Sequence, residues 1–500
     1  MIARQEMALA SFVERGLALR VEGDAEVRVS GVHRDSRAVE PGDLFVGVRG
    51  EHADGARFLS DARARGAVAV AATTVTQHDL PTLVVADPRV ALGAMANLIH
   101  GEPTRAMVTI GITGTNGKTT TGHLVETILH AALLAPAFLG TTAYRAPGTE
   151  RPIGFTTPEG DTLARLAAEA VERGASHLVM EVSSHGLALH RADACHFRVA
   201  AFSNLTQDHL DFHTDMADYG RAKARLFAEL DVEESVINVD DAFGAELAET
   251  APHVLRVSCH AGADIWPSEV SIGRDGIHAL VHTPRGEMKL QSPLLGQHNL
   301  ENLLLAVGIG VALDLPLGAI ATGLAHSLGA PGRLEPVPNV RGLRVLVDYA
   351  HTPDALGRAL AALRPLTPGR LFVVFGCGGD RDRQKRPEMG REAAQGADLV
   401  VVTSDNPRTE DPDVIVEEIL PGLLGHDLAR LEPEQLSEAT RGYCKQVDRR
   451  HAIAMAIAAA RDGDTVLIAG KGHEDYQIVG TEQRPFDDRV EALAALGGKP

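Results

Sequence analysis

"MVTIGITGTNGKTTTGHLVETILHAALL", residues 107–134, decides how the chain is read. Its opening residues are apolar and β-branched, as in a short strand. A glycine turn follows, and from Thr119 to Leu134 the apolar residues recur at helical spacing. Strand, glycine loop and helix in direct succession form the setting in which backbone N–H groups and a helix N-terminus hold phosphate. The register is irregular. Counted back from Gly117-Lys118-Thr119, the pattern G-x-x-x-x-G-K-[ST] asks for glycine at 112, where Ile112 stands. Gly111 comes one residue early and Gly114 two late. With that loop, Lys118 is expected to reach the β- and γ-phosphates of a nucleotide, and the Thr119 hydroxyl to ligate magnesium.

Working outward, 500 residues correspond to about three domains at ~150 residues each. The expected class is α/β with boundaries at 1–104, 105–334 and 335–500. The first unit mixes short strands ("GDLFVGVRG", 42–50; "AVAVAA", 67–72) with a helix at 91–101, and "GEPTRA" reads as a linker. The second alternates strands and helices, which predicts a mostly parallel sheet; "SHLVMEV" (176–182) and "RVAAFSN" (198–204) are its clearest later strands. The third holds four near-continuous apolar runs, "LRVLVDYA", "RLFVVFGCGG", "ADLVVVTSDNP" and "DTVLIAGKG", the pattern of buried parallel strands in a doubly wound, Rossmann-like sheet.

Apolar (44%) and charged (23%) fractions are those of a globular protein, and a net charge of -19 argues against a nucleic-acid partner. The four cysteines are scattered and form no C-x-x-C, so no zinc site or disulfide framework is expected. The N-terminus lacks an apolar signal core and no apolar stretch is long enough to span a bilayer, so a cytoplasmic protein without membrane insertion is expected.

Polar, chemically capable residues begin where apolar runs stop: Glu181, then Asn204 to His213, Asp348 and His351, Arg381, Asp405 to Arg408, and Lys471 to Glu474. Ligands of open parallel sheets bind beyond the carboxyl ends of strands, so the chemistry is expected on those crests. Glu181 is a candidate magnesium ligand. His209 and His213 stand four apart, which on a helix would suggest zinc, but no third ligand has matching spacing. On pattern alone Lys223 reads as a solvent-facing helix lysine, Arg408 as an exposed loop arginine, and Thr156-Thr157 as an ordinary loop before Pro158.

Taken together, "TGTNGKT" (113–119), "EVSSHGL" (181–187), "NLTQDHLDFH" (204–213), "YGRAKARLF" (219–227), "GQHNLENLLLA" (296–306), "GRLE" (332–335), "DYAHTPDAL" (348–356), "GCGGDRDRQKRP" (376–387), "DNPR" (405–408) and "GKGHE" (470–474) resemble the Mur ligase family, in order and across all three units. That family uses a compact T-G-T-N-G-K-T loop, which accounts for the register. The resemblance implies an ATP-dependent, ADP-forming amide ligase of peptidoglycan precursor synthesis. It implies a UDP-sugar-binding first unit, an ATP-binding second and an amino-acid-binding third. ATP would be held by Gly114, Thr115, Asn116, Gly117, Lys118, Thr119 and Thr120, with Asn302 and Asp348 on its adenine and ribose side. Magnesium would be held by Thr119, Glu181, His209 and Lys223, the lysine as its carbamate. Lys118, Glu181, His209, Lys223 and Arg333 would carry the catalysis. The UDP-N-acetylmuramoyl dipeptide would meet Arg34, Ser36, Glu51, His52 and Ala53, then Thr156, Thr157, Ser183 and Arg191. Phe155 and Leu189 depart from residues that some members carry there.

Family members differ in adding meso-diaminopimelate or L-lysine, which differ by one distal carboxylate. A fixed guanidinium suits that carboxylate. Arg408 in "DNPR" supplies one, and Arg381, Asp405, Asn406, Pro407, Gly470 and Glu474 are expected around it, so diaminopimelate is the expected amine. The alternatives are a lysine-adding member, a related folylpolyglutamate-type ligase, and a nucleotide-switch binding protein. The last is disfavoured because no Asn-Lys pair occurs to read guanine.

Overall fold

Val108–Thr113, the strand that leads into the glycine loop, lies inside an eight-stranded sheet. A computed structural model describes residues 5–49, 55–75, 78–210, 212–273 and 275–498 of the chain. Val108–Thr113 is flanked by His177–Glu181 on one side and His196–Phe202 on the other, both paired with it in parallel. Parallel pairing continues outward to Pro136–Leu139 and to Asp231–Asn238 and Val254–Val257. Only the edge hairpin Tyr144–Ala146 with Thr149–Arg151 runs antiparallel. The register sets Glu181 opposite Ile112 and Phe202 opposite Thr113. Three strands therefore end level, and the chain diverges to both sides at the loop, which is where open sheets bind ligands.

Helix Lys118–Ala131 follows the loop and ends three residues before its periodicity suggested, because Leu133 turns left-handed at φ 61°. The apolar helix Gln297–Ala312 is buried along most of its length. It packs between the central sheet and a three-stranded antiparallel sheet of Trp266–Gly273, Gly276–Thr283 and Gly286–Ser292. Each fully buried Leu or Ile there contributes about 2 kcal/mol. That small sheet is absent from the sequence reading. Its last strand alternates exposed and buried residues, so it shows no continuous apolar run.

The first sheet is five-stranded, in the order Arg20–Glu22, Thr82–Val84, Ala69–Ala72, Asp43–Val46, Gly31–His33, with all but the first strand parallel. "GEPTRA" is not a plain linker. Pro103–Ala106 forms one helical turn, and the buried Thr104 accepts from the His196 N–H (3.2 Å) and from Thr109 (3.1 Å).

The third sheet is six-stranded, in the order Glu335–Pro336, Arg344–Asp348, Thr465–Ala469, Leu371–Phe375, Leu399–Val402, Gly442–Lys445. Every pairing but the first is parallel. The four apolar runs are its four central strands. Gly442–Lys445, too short to stand out, completes it. Asp348 pairs with Ala469 and Phe375 with Val402, so four crests emerge at one edge. No helix among the described residues is long and apolar enough to cross a membrane.

Candidate active site

The loop is built on two glycines that nothing else can replace. Gly114 has φ 143°, and a Cβ there would lie 1.9 Å from Ser203 Oγ; Gly117 has φ 89°, and its Cβ would lie 2.3 Å from Asn302 Oδ1. Other residues avoid such φ values at a cost of about 1–2 kcal/mol. Asn204, at the end of the neighbouring strand, accepts from the Asn116 N–H at 2.9 Å, and Ser203 donates to the Asn116 carbonyl at 2.6 Å. Lys118 curls back to donate to the Gly114 and Thr115 carbonyls at 2.8 and 2.9 Å. Burial lowers its pKa; Glu181 and Asp208 oppose that, and Arg333 reinforces it. These four charged groups therefore share one electrostatic neighbourhood.

Glu181 is fully buried at its strand end. It accepts from Thr119 Oγ1 at 2.9 Å, from the Thr141 N–H at 2.8 Å and from Thr141 Oγ1 at 3.0 Å. No basic side chain among the described residues comes within ion-pair distance of it. A buried carboxylate with hydroxyl neighbours and no protein cation fits a hard divalent ion such as magnesium. Thr141 went unread in the sequence. It follows Pro136–Leu139 at the same crest, and that position was its only signal.

Lys223 is not a surface lysine. It lies on helix Met216–Ala228 with 1% exposure, its ammonium 4.3 Å from the Tyr219 ring centre and with no hydrogen-bond or ion-pair partner among the described residues. Burial, with Lys118 nearby, holds its pKa well below the usual lysine range. His209 and His213 do not share a helical face: His209 adopts φ 55° in a turn. Its ring meets His185 edge-on at 4.8 Å between centres. Burial holds its pKa down at about 4, against the pull of Asp208. Among the described residues no group of three or more His, Cys, Asp or Glu is placed to hold a metal ion.

Beside the loop, a pocket of about 70 Å³ is lined by Asn116, Gly117, Thr120, Asn302, Arg333 and Asp348, all sequence candidates. His298, Glu301 and Arg358 also line it and were not read. Burial pushes the Asp348 carboxyl up, and it accepts the Leu334 and Ala350 N–H groups at 2.7 and 2.8 Å. The Arg333 guanidinium lies over the Tyr349 ring at 4.8 Å.

A larger cleft of about 400 Å³ separates the 207–210 turn of the central sheet from the crests of the third sheet. Arg381, Asp405, Asn406, Arg408, Gly470 and Glu474 line it; Pro407 is buried behind them. Arg408 has φ 52° and donates from Nη1 to the Gly379 carbonyl at 2.9 Å. Its Nε and Nη2 have no protein acceptor among the described residues. A Cβ on Gly378 would come 2.9 Å from Arg408 Nη1 and 3.6 Å from Arg381 Cγ, so that glycine makes room for both guanidinium groups. Opposite charge stands nearby: Glu474 accepts from Asn406 at 2.9 Å and from the buried Lys471 at 3.0 Å. The cleft thus offers a cationic corner and a carboxylate corner, the complement of an amino acid with a distant second carboxylate.

A third cluster joins the first and central sheets. Thr156 and Thr141 share a 3.0 Å hydrogen bond, and Thr157 donates to the Glu181 carbonyl at 2.9 Å and accepts from the Ser183 N–H at 2.9 Å. This is no ordinary loop. Arg191 pairs with the buried Glu159 at 2.9 Å, packs 5.2 Å from Phe155 and donates to the Thr157 carbonyl at 3.0 Å. Arg34 and Arg89 approach the same Glu159 at 3.9 and 3.5 Å. Ser36 is buried two residues beyond Arg34. Leu189 ends the short helix Ser184–Ala188. Glu51, His52 and Ala53 lie outside the described residues.

Comparison with known proteins covers almost the whole chain. Residues 28–106 match the Mur ligase family catalytic domain, 112–310 the Mur ligase middle domain and 332–472 the Mur ligase glutamate ligase domain. A UDP-N-acetylmuramoyl-L-alanyl-D-glutamate–2,6-diaminopimelate ligase of Geobacter sulfurreducens is 46% identical over 96% of both chains, and that of Gloeobacter violaceus is 46% identical over 94% of both. A solved structure of a ligase with the same name superposes with a TM-score of 0.71 at 32% identity, covering 99% of both chains. A MurF ligase from Thermotoga maritima in complex with ADP shares the fold, with a TM-score of 0.64 at 19% identity over 93% of this chain and 96% of its own.

Proposed function

The chain belongs to the Mur ligase family, and from that premise we propose that it joins meso-2,6-diaminopimelate to the D-glutamyl carboxylate of UDP-N-acetylmuramoyl-L-alanyl-D-glutamate, with ATP converted to ADP and phosphate. The carrying observation is the 400 Å³ cleft, in which the two arginines of the third sheet face the Asp208–His209 turn beside the glycine loop. The division of labour follows the three units proposed from sequence: residues 1–104 for the UDP sugar, 105–334 for ATP and 335–500 for the amine.

The reaction has two steps. A substrate carboxylate oxygen attacks the γ-phosphorus, the bond to the β-phosphate oxygen breaks, and an acyl phosphate and ADP result. The amine nitrogen then attacks the acyl carbon, and the tetrahedral intermediate expels inorganic phosphate as the amine gives up a proton. The first step brings two anions together, so positive charge must be fixed where negative charge concentrates. The loop N–H groups and the N-terminus of helix Lys118–Ala131 supply part of it. Lys118, released from the Gly114 and Thr115 carbonyls, and Arg333, steadied on Tyr349, supply the rest. Thr119, Glu181, His209 and the Lys223 carbamate would hold magnesium, which when bound screens the phosphate and carboxylate charges. The lowered pKa of Lys223 favours the neutral amine that carbon dioxide requires, and the carbamate would replace an unpartnered ammonium with oxygen donors.

Arg191, kept in place by Glu159 and Thr157, together with Ser183, Arg34 and Ser36, would hold the precursor with its carboxylate toward the loop. Arg408 and Arg381 would take the distal carboxylate of diaminopimelate, and Glu474 its far ammonium. Asn302 and Asp348 would flank the nucleoside.

The test is substrate-dependent ADP release from the purified protein. ADP formation and a product with the mass of the tripeptide precursor should require ATP, magnesium, the nucleotide dipeptide and diaminopimelate together. Release supported by a folate and glutamate in their place would contradict the proposal.

A further inference from the structure

We infer that Asp354 is a positioning residue through which the occupied glycine loop sets the wall of the amine cleft. This rests on the functional reading above, which assigns the loop to ATP and the cleft to the amine.

Asp354 stands in the first turn of helix Pro353–Leu363, which belongs to the third sheet's layer and begins with Thr352 capping the Ala355 N–H. Its two carboxylate oxygens face different units of the molecule. Oδ2 accepts from Asn116 Nδ2 at 3.0 Å and from Thr206 Oγ1 at 3.4 Å, both on the central sheet's crest. Oδ1 accepts from Arg358 Nε at 3.0 Å on its own helix. Arg358 in turn reaches Glu301, on the central helix Gln297–Ala312, at 3.5 Å. Asn116 is a residue of the glycine loop itself, and Asn116, Glu301 and Arg358 line the small pocket beside it. Asp354 lines the amine cleft on the other side, together with His351, Thr352 and Pro353. One carboxylate is therefore a wall of the cleft and an acceptor from the loop.

The chemistry makes this more than a tether. The Asn116 backbone N–H and carbonyl are held by Asn204 and Ser203, and its side-chain amide donates both to Thr206 Oγ1 at 3.3 Å and to Asp354, so this amide is the loop's link to the third unit. Phosphates seated on the loop fix the backbone that carries this amide. A fixed amide orients Asp354, and a fixed Asp354 holds the start of the helix that faces Arg381 and Arg408 across the cleft. Coupling of this kind must be reciprocal: whatever nucleotide does for amine affinity, amine does for nucleotide affinity.

The experiment is titration calorimetry on the full chain with meso-diaminopimelate, with and without a nonhydrolysable ATP analogue and magnesium. Wild type should bind diaminopimelate on the order of tenfold more tightly with the analogue present, a usual size for coupling between sites. Asp354→Ala should reduce that ratio to within about twofold while each ligand alone still binds. Asp354→Asn, which keeps the shape and one acceptor oxygen, should retain an intermediate ratio. It carries the test should the alanine variant fail to fold. An Asn116→Ala/Asp354→Ala pair should lose no more coupling than either single change, because residues in contact are not additive. A full wild-type ratio in the Asp354 variants overturns the inference, as does additive loss in the pair. Wild type that binds no diaminopimelate in either state overturns the assigned amine and the inference with it.

Discussion

Arg408→Ala should weaken the enzyme's use of diaminopimelate and leave ATP untouched. In the structure Arg408 spends one N–H of Nη1 on the Gly379 carbonyl, and its Nε and Nη2 have no acceptor among the described residues. A carboxylate seated there gains two charge-assisted hydrogen bonds, each worth about 1.5–3 kcal/mol net. Arg408 is half-buried, so solvent screens part of this and the lower end applies to each bond. The sum is about 3–4 kcal/mol, or a loss on the order of 10²–10³ in kcat/KM for diaminopimelate at 1.36 kcal/mol per tenfold. The loss should sit mainly in KM, because the distal carboxylate does not react. Lysine lacks that carboxylate, so its poor turnover should be unchanged and the preference between the two should narrow by the same factor. Arg408→Lys keeps the charge but not the fork, and should recover only part. Steady-state kinetics with each amine, with the KM for ATP measured alongside, decides this. An unchanged preference, or an equal rise in the KM for ATP, would show that Arg408 does not hold the distal carboxylate.

Three further outcomes follow from the same geometry. Gly117→Ala puts a Cβ 2.3 Å from Asn302 Oδ1 at φ 89°, so nucleotide binding measured by calorimetry should weaken at least about tenfold; unchanged affinity would mean the loop does not hold phosphate. After equilibration with ¹³C-bicarbonate, the protein should give a carbamate resonance that is absent from Lys223→Ala; a wild-type spectrum without it would remove the proposed metal ligand. His123 is buried beside Arg145, and burial holds its pKa at about 3, below the 6.5 of an unfolded chain. The unfolded state therefore takes up the proton first, and stability present above pH 6.5 is lost as pH falls toward 3 by up to about 1.4 kcal/mol per unit. Denaturant unfolding of His123→Gln should show a correspondingly shallower slope between pH 6 and 4, and a slope equal to wild type would refute the assignment.

The crests were legible because parallel strands advertise themselves as apolar runs and their ends as polar breaks. Glu181, Asp348, Arg381, Arg408 and Glu474 all lie where a run stops, and their convergence follows from strands ending level. Thr141 also follows a strand end, but Pro136–Leu139 is a run of only four residues, and Asp354 sits inside a helix start whose hydrogen bonds to Asn116 and Thr206 no sequence pattern marks. The burial of Lys223 was hidden for a related reason. Helix Met216–Ala228 carries three basic residues, Arg221, Lys223 and Arg225, and it is Lys223 that is buried, against Tyr219. An acidic residue after a proline resembles a solvated helix start, whereas Glu159 is buried and three arginines from the first and central units converge on it. The three-stranded antiparallel sheet shows no long apolar run, because exposed and buried residues alternate along its last strand.

On this proposal the cleft between the central and third sheets takes an amino acid with a distal carboxylate. The most direct measurement offers the purified enzyme ATP, magnesium and the nucleotide dipeptide with equal concentrations of meso-diaminopimelate and L-lysine, and weighs the two products by mass spectrometry. Diaminopimelate product in large excess, on the order of 10²-fold or more, is what two free guanidinium N–H groups predict. Equal products, or an excess of the lysine product, would contradict it.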